Sequence, residues 1–202
     1  NKGLDIHKAT AAKIFNIPLE EVTPDQRRQA KTINFSIIYG AGATNLSRQL
    51  GIPRPEAKLL IESYFKEYSG LQQYFEETVK FARDHGYVLT KLGRKRKLRD
   101  INSRNGLARS NAERMAINTP IQGTAADMIK LAMINIHKEL EKRKMKSKMI
   151  MQVHDELVFD MHKEEKEELK QLVIDKMTTA IPDLKVKIKV DTGVGNNWLE
   201  AH

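Results

Sequence analysis

Two stretches carry residues whose types and spacing can do chemistry. In TPDQRRQAKTINFSIIYG, residues 23 to 40, Arg27, Lys31, Phe35 and Tyr39 stand four apart. On a helix they climb one side at about 6 Å per step, two cations first and two aromatics after. That order suits a nucleotide: cations near a positive helix end can hold a polyphosphate, and rings further along can meet a sugar and a base. Spacing alone leaves a plainer reading open, because cations at i, i+4 are ordinary on solvated faces and aromatics at helical spacing are usually core. The second stretch, MIMQVHDELVFDMH, puts His154, Asp155 and Glu156 between two apolar runs. Acids there are also ordinary turn chemistry.

The elements that must position these residues follow from the local pattern. Thr23 with Gln26 forms a capping box, Pro24 suits the first helical position, and Gly40 offers a stop, so a helix is expected over 24–39. Its buried stripe is Ala30, Ile33, Ile37 and Ala41. Residues 3–15 predict an amphipathic helix with Asp5 in its first turn, on which a lone His7 reads as structural. A short helix ending at Gly51 and Pro53 is followed by a helical stretch over 54–85, broken near Ser69 and Gly70. Residues 87–100 alternate as a strand pair around Gly93 and hold the densest cationic run, including Arg94 and Arg96. From 105 to 132 two helices joined near Thr119-Pro120 are expected. Arg114 and Asn118 share a face there, Gln122 opens the next segment, and such side chains can donate to minor-groove acceptors. Strands over 149–153 and 157–161, joined at 154–156, a helix over 162–181 and an alternating strand in LKVKIKV complete the chain.

The chain has 202 residues, 40% hydrophobic and 30% charged, enough to bury a core in one or two domains. It has no cysteine, so a disulfide framework and a thiolate zinc site are excluded, and an intracellular setting is the default. No apolar run approaches 18 residues, so no membrane partner is expected. Starting at Asn1 within patterned sequence, the chain reads as an excised piece. The net charge of +9 is uneven: residues 1–112 hold 20 Lys and Arg against 11 Asp and Glu, whereas residues 113–202 hold 15 of each. A basic part beside a neutral part with clustered acids fits a protein that holds a polyanion with one and does metal chemistry with the other.

Arg27-x-x-x-Lys31-x-x-x-Phe35-x-x-x-Tyr39-Gly40 resembles the motif B helix of family A DNA polymerases, the bacterial DNA polymerase I group. Further strings are similar to the same family: DIHKATA around His7; Thr90, Gly93, Arg94, Lys95 and Arg96; ER-x-x-x-N-x-P-x-QGT; V-H-D-E at 153–156; and the tail around Trp198. The chain departs from it at Gly42, Thr44 and Arg99. The resemblance implies an α+β fold, with a mostly helical fingers subdomain over 1–112 followed by part of an antiparallel-sheet palm over 113–202. It implies template-directed DNA synthesis by two-metal phosphoryl transfer, with deoxynucleoside triphosphates and primer–template DNA as partners. His7, Arg27, Lys31, Phe35 and Tyr39 would bind the nucleotide, with Lys31, Asp155 and Glu156 catalytic. Arg94, Arg96, Arg109, Arg114, Asn118, Gln122 and His154 would contact DNA. Asp155 would ligate Mg²⁺, and the second carboxylate ligand would lie in a segment before Asn1, leaving the isolated piece inactive. A monomer in the bacterial cytoplasm, associated with the nucleoid, is expected. The competing class is a non-catalytic DNA- or nucleotide-binding module.

Overall fold

The computed structural model describes residues 5–201. The chain is α+β, dominated by helices with two small antiparallel hairpins. It divides into two compact units after Ile121, later than the expected boundary at 112.

In the unit ending at Ile121, α1 (Ile6–Ile14) is capped by Asp5, whose carboxylate accepts from the backbone N–H groups of His7 and Lys8. Asp5 thus stands just outside the helix rather than in its first turn; Gly3 and Leu4 of the expected helix lie outside the described residues. The expected capping box opens α2 (Pro24–Ile38): Gln26 N–H donates to Thr23 Oγ1 at 3.2 Å, and Thr23 N–H donates to Gln26 Oε1 at 2.9 Å. Tyr39 caps its end, and Gly40 turns away with φ +73°. Helices α3 (Ala43–Leu50), α4 (Arg54–Glu67) and α5 (Ser69–His85) follow, with the expected break falling at Tyr68. Ile33 and Ile37 of α2 pack with Leu46, Ala57 and Tyr64 in one core. The expected stripe holds for Ala30, Ile33 and Ile37, all buried, while Ala41 lies beyond the helix and is half-exposed.

Strands β1 (Tyr87–Leu89) and β2 (Lys95–Lys97) pair antiparallel around a turn in which Gly93 has φ +81°. Val88 and Leu98 face Ala82, Ile101, Ala112 and Ala116, which seats the hairpin on helices and leaves its cations outside. The two helices expected over 105–132 are one, α6 (Gly106–Lys142), with Pro120 inside it. Proline removes one backbone hydrogen bond and crowds the preceding turn, a cost of about 3 kcal/mol. Buried residues on both sides, Ala112, Ala116 and Ile117 before and Ile129, Ala132 and Ile136 after, anchor the helix and outweigh that cost.

In the unit from Gln122 onward, β3 (Lys148–Val153) and β4 (Glu156–Asp160) form an antiparallel hairpin. Glu156 begins β4 opposite Val153, so the turn is His154-Asp155 alone and the expected three-residue connection is one residue too long. A bulge between Met149 and Met151 leaves Ile150 pointing outward. Leu157 and Phe159 pack on a core made by Ala132, Ile136 and Leu140 of α6 with Leu169, Leu172 and Val173 of α7 (Lys166–Thr178). The helix expected over 162–181 is shorter because a 3₁₀ turn occupies Lys163–Glu165. The strand expected in LKVKIKV does not form: the described residues make no ladder there, and an alternating pattern without a hydrogen-bonding partner is not a strand. A single helical turn, α8 (Trp198–Ala201), closes the described chain.

Candidate functional site

The row Arg27, Lys31, Phe35 and Tyr39 lies on the exposed side of α2, opposite the buried Ile33 and Ile37. Its aromatic rings are open to solvent, Phe35 at 43% and Tyr39 at 46%, and stack on each other with centroids 6.1 Å apart at 11°. Two aromatic rings thus lie side by side on the surface of α2. His7, from α1, extends the row: its ring centroid is 5.6 Å from that of Phe35. The structure therefore brings together His7, Arg27, Phe35 and Tyr39 with Lys31 on the same face.

Arg27 is ion-paired, its Nε 2.7 Å from Asp5 Oδ2. The guanidinium's hydrogen bond is the chief reason the Asp5 carboxyl is held below the usual carboxylate range, with the Lys8 N–H adding to it. Sequence reasoning missed this partner, although Asp5 precedes His7 by two residues and could have been read as an acid facing the cationic row.

It also missed what orients His7. Asn34 Nδ2 lies 3.0 Å from His7 Nδ1 and 3.1 Å from Thr10 Oγ1, and Thr10 Oγ1 is 3.0 Å from the Tyr68 hydroxyl. Thr10 and Asn34 are buried, at 0% and 2% exposure. A buried asparagine in mid-helix must spend its amide on a partner, which was the available signal.

At the end of α2 the backbone meets α6. Asn118 Nδ2 donates to the Tyr39 carbonyl at 3.4 Å, and a Cβ added at Gly40 would lie 3.0 Å from Arg114 Cγ. Arg114 also donates to Asn111 Oδ1. Two residues expected to contact DNA are thus gathered against the ring end of the row. Of the others, Arg96 sends Nη1 to Thr119 Oγ1 at 3.3 Å and Nη2 toward Met115 Sδ. Arg109 donates to the Ser103 carbonyl at 3.1 Å and stands 4.0 Å from Glu113. Arg94 is exposed beside the β1–β2 turn, and Gln122 is exposed on α6 in the second unit.

The acidic tip belongs to that second unit. His154 has φ +53°, a backbone conformation uncommon outside glycine, and its carbonyl accepts from Gln152 Nε2 at 2.9 Å. Asp155 is exposed at the turn and Glu156 is half-buried at the start of β4. Among the described residues no group of three or more His, Cys, Asp or Glu is placed to hold a metal. The tip presents one exposed carboxylate, Asp155, with the half-buried Glu156 beside it.

One unit is basic and presents a solvent-facing row of cations and rings, and the other carries an acidic hairpin tip. The match is to DNA polymerase family A, over residues 1–200, and the chain belongs to that family. It is 50% identical over 200 residues to DNA polymerase I of Lactococcus lactis subsp. cremoris, covering 98% of this chain and 23% of that protein. It is 48% identical over 200 residues to DNA polymerase I of Bacillus caldotenax, covering 99% of this chain and 23% of the relative. The polymerase domain of Pol1 from M. smegmatis, solved with DNA primer–template and a dNTP, superposes with a TM-score of 0.93 at 42% identity, covering 100% of this chain and 35% of that one. The chain thus spans about a quarter of the length of these curated relatives. No helix among the described residues is long and apolar enough to cross a membrane.

Proposed function

We propose that this chain supplies the nucleotide-holding face and one metal-holding carboxylate of a template-directed DNA polymerase. The observation that carries the reading is the exposed row of Arg27, Lys31, Phe35 and Tyr39, joined by His7, in a chain whose structural relative holds primer–template DNA and a dNTP. Arg27, Lys31 and His7 grip the triphosphate, Phe35 meets the sugar, and Tyr39 lies at the templating pair. Arg114 and Asn118, at i and i+4 on α6, present donors along one face for the minor-groove acceptors common to all correct pairs, and Gln122 of the other unit is a further donor. Arg94, Arg96, Arg109 and His154 attend the DNA. The two units correspond to fingers and part of a palm, working as a monomer at the bacterial nucleoid.

Asp155 holds the metal, with Glu156 as accessory acid. A hard carboxylate on an exposed tip fits Mg²⁺, which keeps most of its shell as water and phosphate oxygens and takes only one or two protein carboxylates. The second comes from outside these 202 residues, so the chain alone should not extend primers. When bound, two such ions activate a primer 3′-oxygen and neutralise the leaving pyrophosphate. This chain's own residues hold and orient the nucleotide: the cations neutralise its charge, and the ring pair fixes the base end.

In the polymerase that contains this chain, Asp155→Asn should remove most turnover while leaving primer–template affinity nearly intact, and Glu156→Gln should cost less. Steady-state incorporation and DNA titration measure the two quantities. A modest loss for Asp155→Asn, or a larger one for Glu156→Gln, refutes the assignment.

A further inference from the structure

Beneath the row, a chain of hydrogen-bonded polar side chains runs into the core. Thr10, on α1, donates to the Ile6 carbonyl at 2.8 Å and meets Asn34 of α2 and the Tyr68 hydroxyl at the end of α4. Three helices are therefore tied through one buried hydroxyl, and the chain ends on His7 Nδ1. Buried polar networks of this kind are costly unless satisfied, and a side chain that completes one is held in a single orientation. Packing alone would not require it, since apolar residues of similar size could join the same helices.

An asparagine amide nitrogen can only donate, so His7 Nδ1 is the acceptor and the neutral ring carries its proton on Nε2. Thr10 anchors the Asn34 side chain from the other side. Phe35, the next residue on α2, packs against the same imidazole at 5.6 Å, so the ring is fixed by a hydrogen bond on one atom and by an aromatic face.

We infer that Asn34 is a positioning residue for nucleotide binding: by donating to His7 Nδ1 it presents the Nε2–H as a donor to a phosphate oxygen of the nucleotide lying along α2. The inference rests on the nucleotide reading of this face. Asn34 itself touches no ligand; it acts through His7. Removing it should free the ring to rotate and weaken triphosphate binding, while the chemistry at the primer end is untouched.

The test is a double-mutant cycle in the polymerase that contains this chain, reading KM for the nucleotide and kcat separately. Asn34→Leu should raise KM by about tenfold with kcat changed little, the scale of one charge-assisted hydrogen bond mispositioned. In a His7→Ala background the same change should raise KM by less than about twofold, because the group it positions is gone. Equal effects in both backgrounds would show that Asn34 only supports packing and would overturn the inference. Thr10→Val, which removes the anchor and leaves Asn34, runs the same cycle if Asn34→Leu fails to fold. Nitrogen-15 shifts of His7 in the unsubstituted protein must show Nε2 protonated; an Nδ1–H tautomer overturns the inference as well. Lys31→Ala separates the two levels. If it leaves KM unchanged, the nucleotide reading falls and this inference with it. If it raises KM strongly while Asn34 and His7 prove uncoupled, only the positioning role falls.

Discussion

Phe35 is the residue on which the orientation of the nucleotide face turns. Between Lys31 and Tyr39, with its ring against His7 and Tyr39, it presents an apolar surface without a hydrogen-bonding group, and in the proposed reading a sugar lies against it. A natural deoxynucleotide brings its own 3′-OH to hydrogen-bond phosphate or nearby charged groups, whereas a dideoxynucleotide does not. Phe35→Tyr adds a hydroxyl at that spot, so it should narrow the preference for the natural substrate. A hydrogen bond to a charged group is worth about 1.5–3 kcal/mol, about one to two powers of ten in selectivity. The ratio of incorporation efficiencies for the two nucleotides, wild type against variant, measures it. An unchanged ratio with natural turnover preserved would place Phe35 away from the sugar. At this scale the sequence was legible where spacing decides, since the four-residue repeat fixed which side chains share a face. It was silent where three helices meet: nothing local says that Asn34 looks across to Thr10 and His7, that Thr10 meets Tyr68, or that Asp5 pairs with Arg27.

Among the elements, the junction of β3 and α7 carries a titratable clamp. Glu165 accepts from the Lys146 N–H, from the Ser147 hydroxyl and from the Ser147 N–H, at 2.8, 2.6 and 2.9 Å, and Ser147 Oγ in turn accepts from the His162 N–H at 2.9 Å. Those donors, the Lys146 N–H foremost, hold its carboxyl down to about 2 against an ordinary 4.5. A carboxylate depressed in the folded state stabilises above its unfolded pKa and loses that contribution as pH falls through the folded one. The stabilisation from Glu165 should therefore be full above about pH 5 and vanish between about 4.5 and about 2. Urea midpoints of Glu165→Gln and wild type should differ at neutral pH and converge on acidification; a gap independent of pH would show that the charge is not what matters. The capping box of α2 and the hairpin at Gly93 were readable because their signals are local. Pro120 and LKVKIKV were misread for the opposite reason: a buried surround carries α6 through a proline, and a strand needs a neighbour that its own residues cannot supply.

For the whole molecule, the charge asymmetry survives the observed division. Residues 2–121 hold 21 Lys and Arg against 12 Asp and Glu, and residues 122–202 hold 14 of each, so the excess of +9 stays in one unit. Binding of primer–template DNA by this chain should be weak and fall with salt, because each phosphate neutralised releases counterions. Arg94→Ala with Arg96→Ala should lower the slope of log affinity against log salt by about two, since each contact contributes about 0.9. An unchanged slope would take the β1–β2 hairpin off the DNA.

Gly40 sets a one-way dependence between two positions. Its φ of +73° excludes most side chains whatever surrounds it, and the 3.0 Å approach to Arg114 Cγ adds a second, separate obstacle. Shortening Arg114 would clear the second obstacle and leave the first, so no change at 114 rescues a substituted 40. For folding alone, a shorter side chain at 114 is tolerated while 40 stays glycine, whereas a side chain at 40 keeps its strained backbone angle whatever stands at 114. In a library randomised at both sites and sorted for folding alone, not for DNA synthesis, folded variants should vary at 114 and converge on glycine at 40.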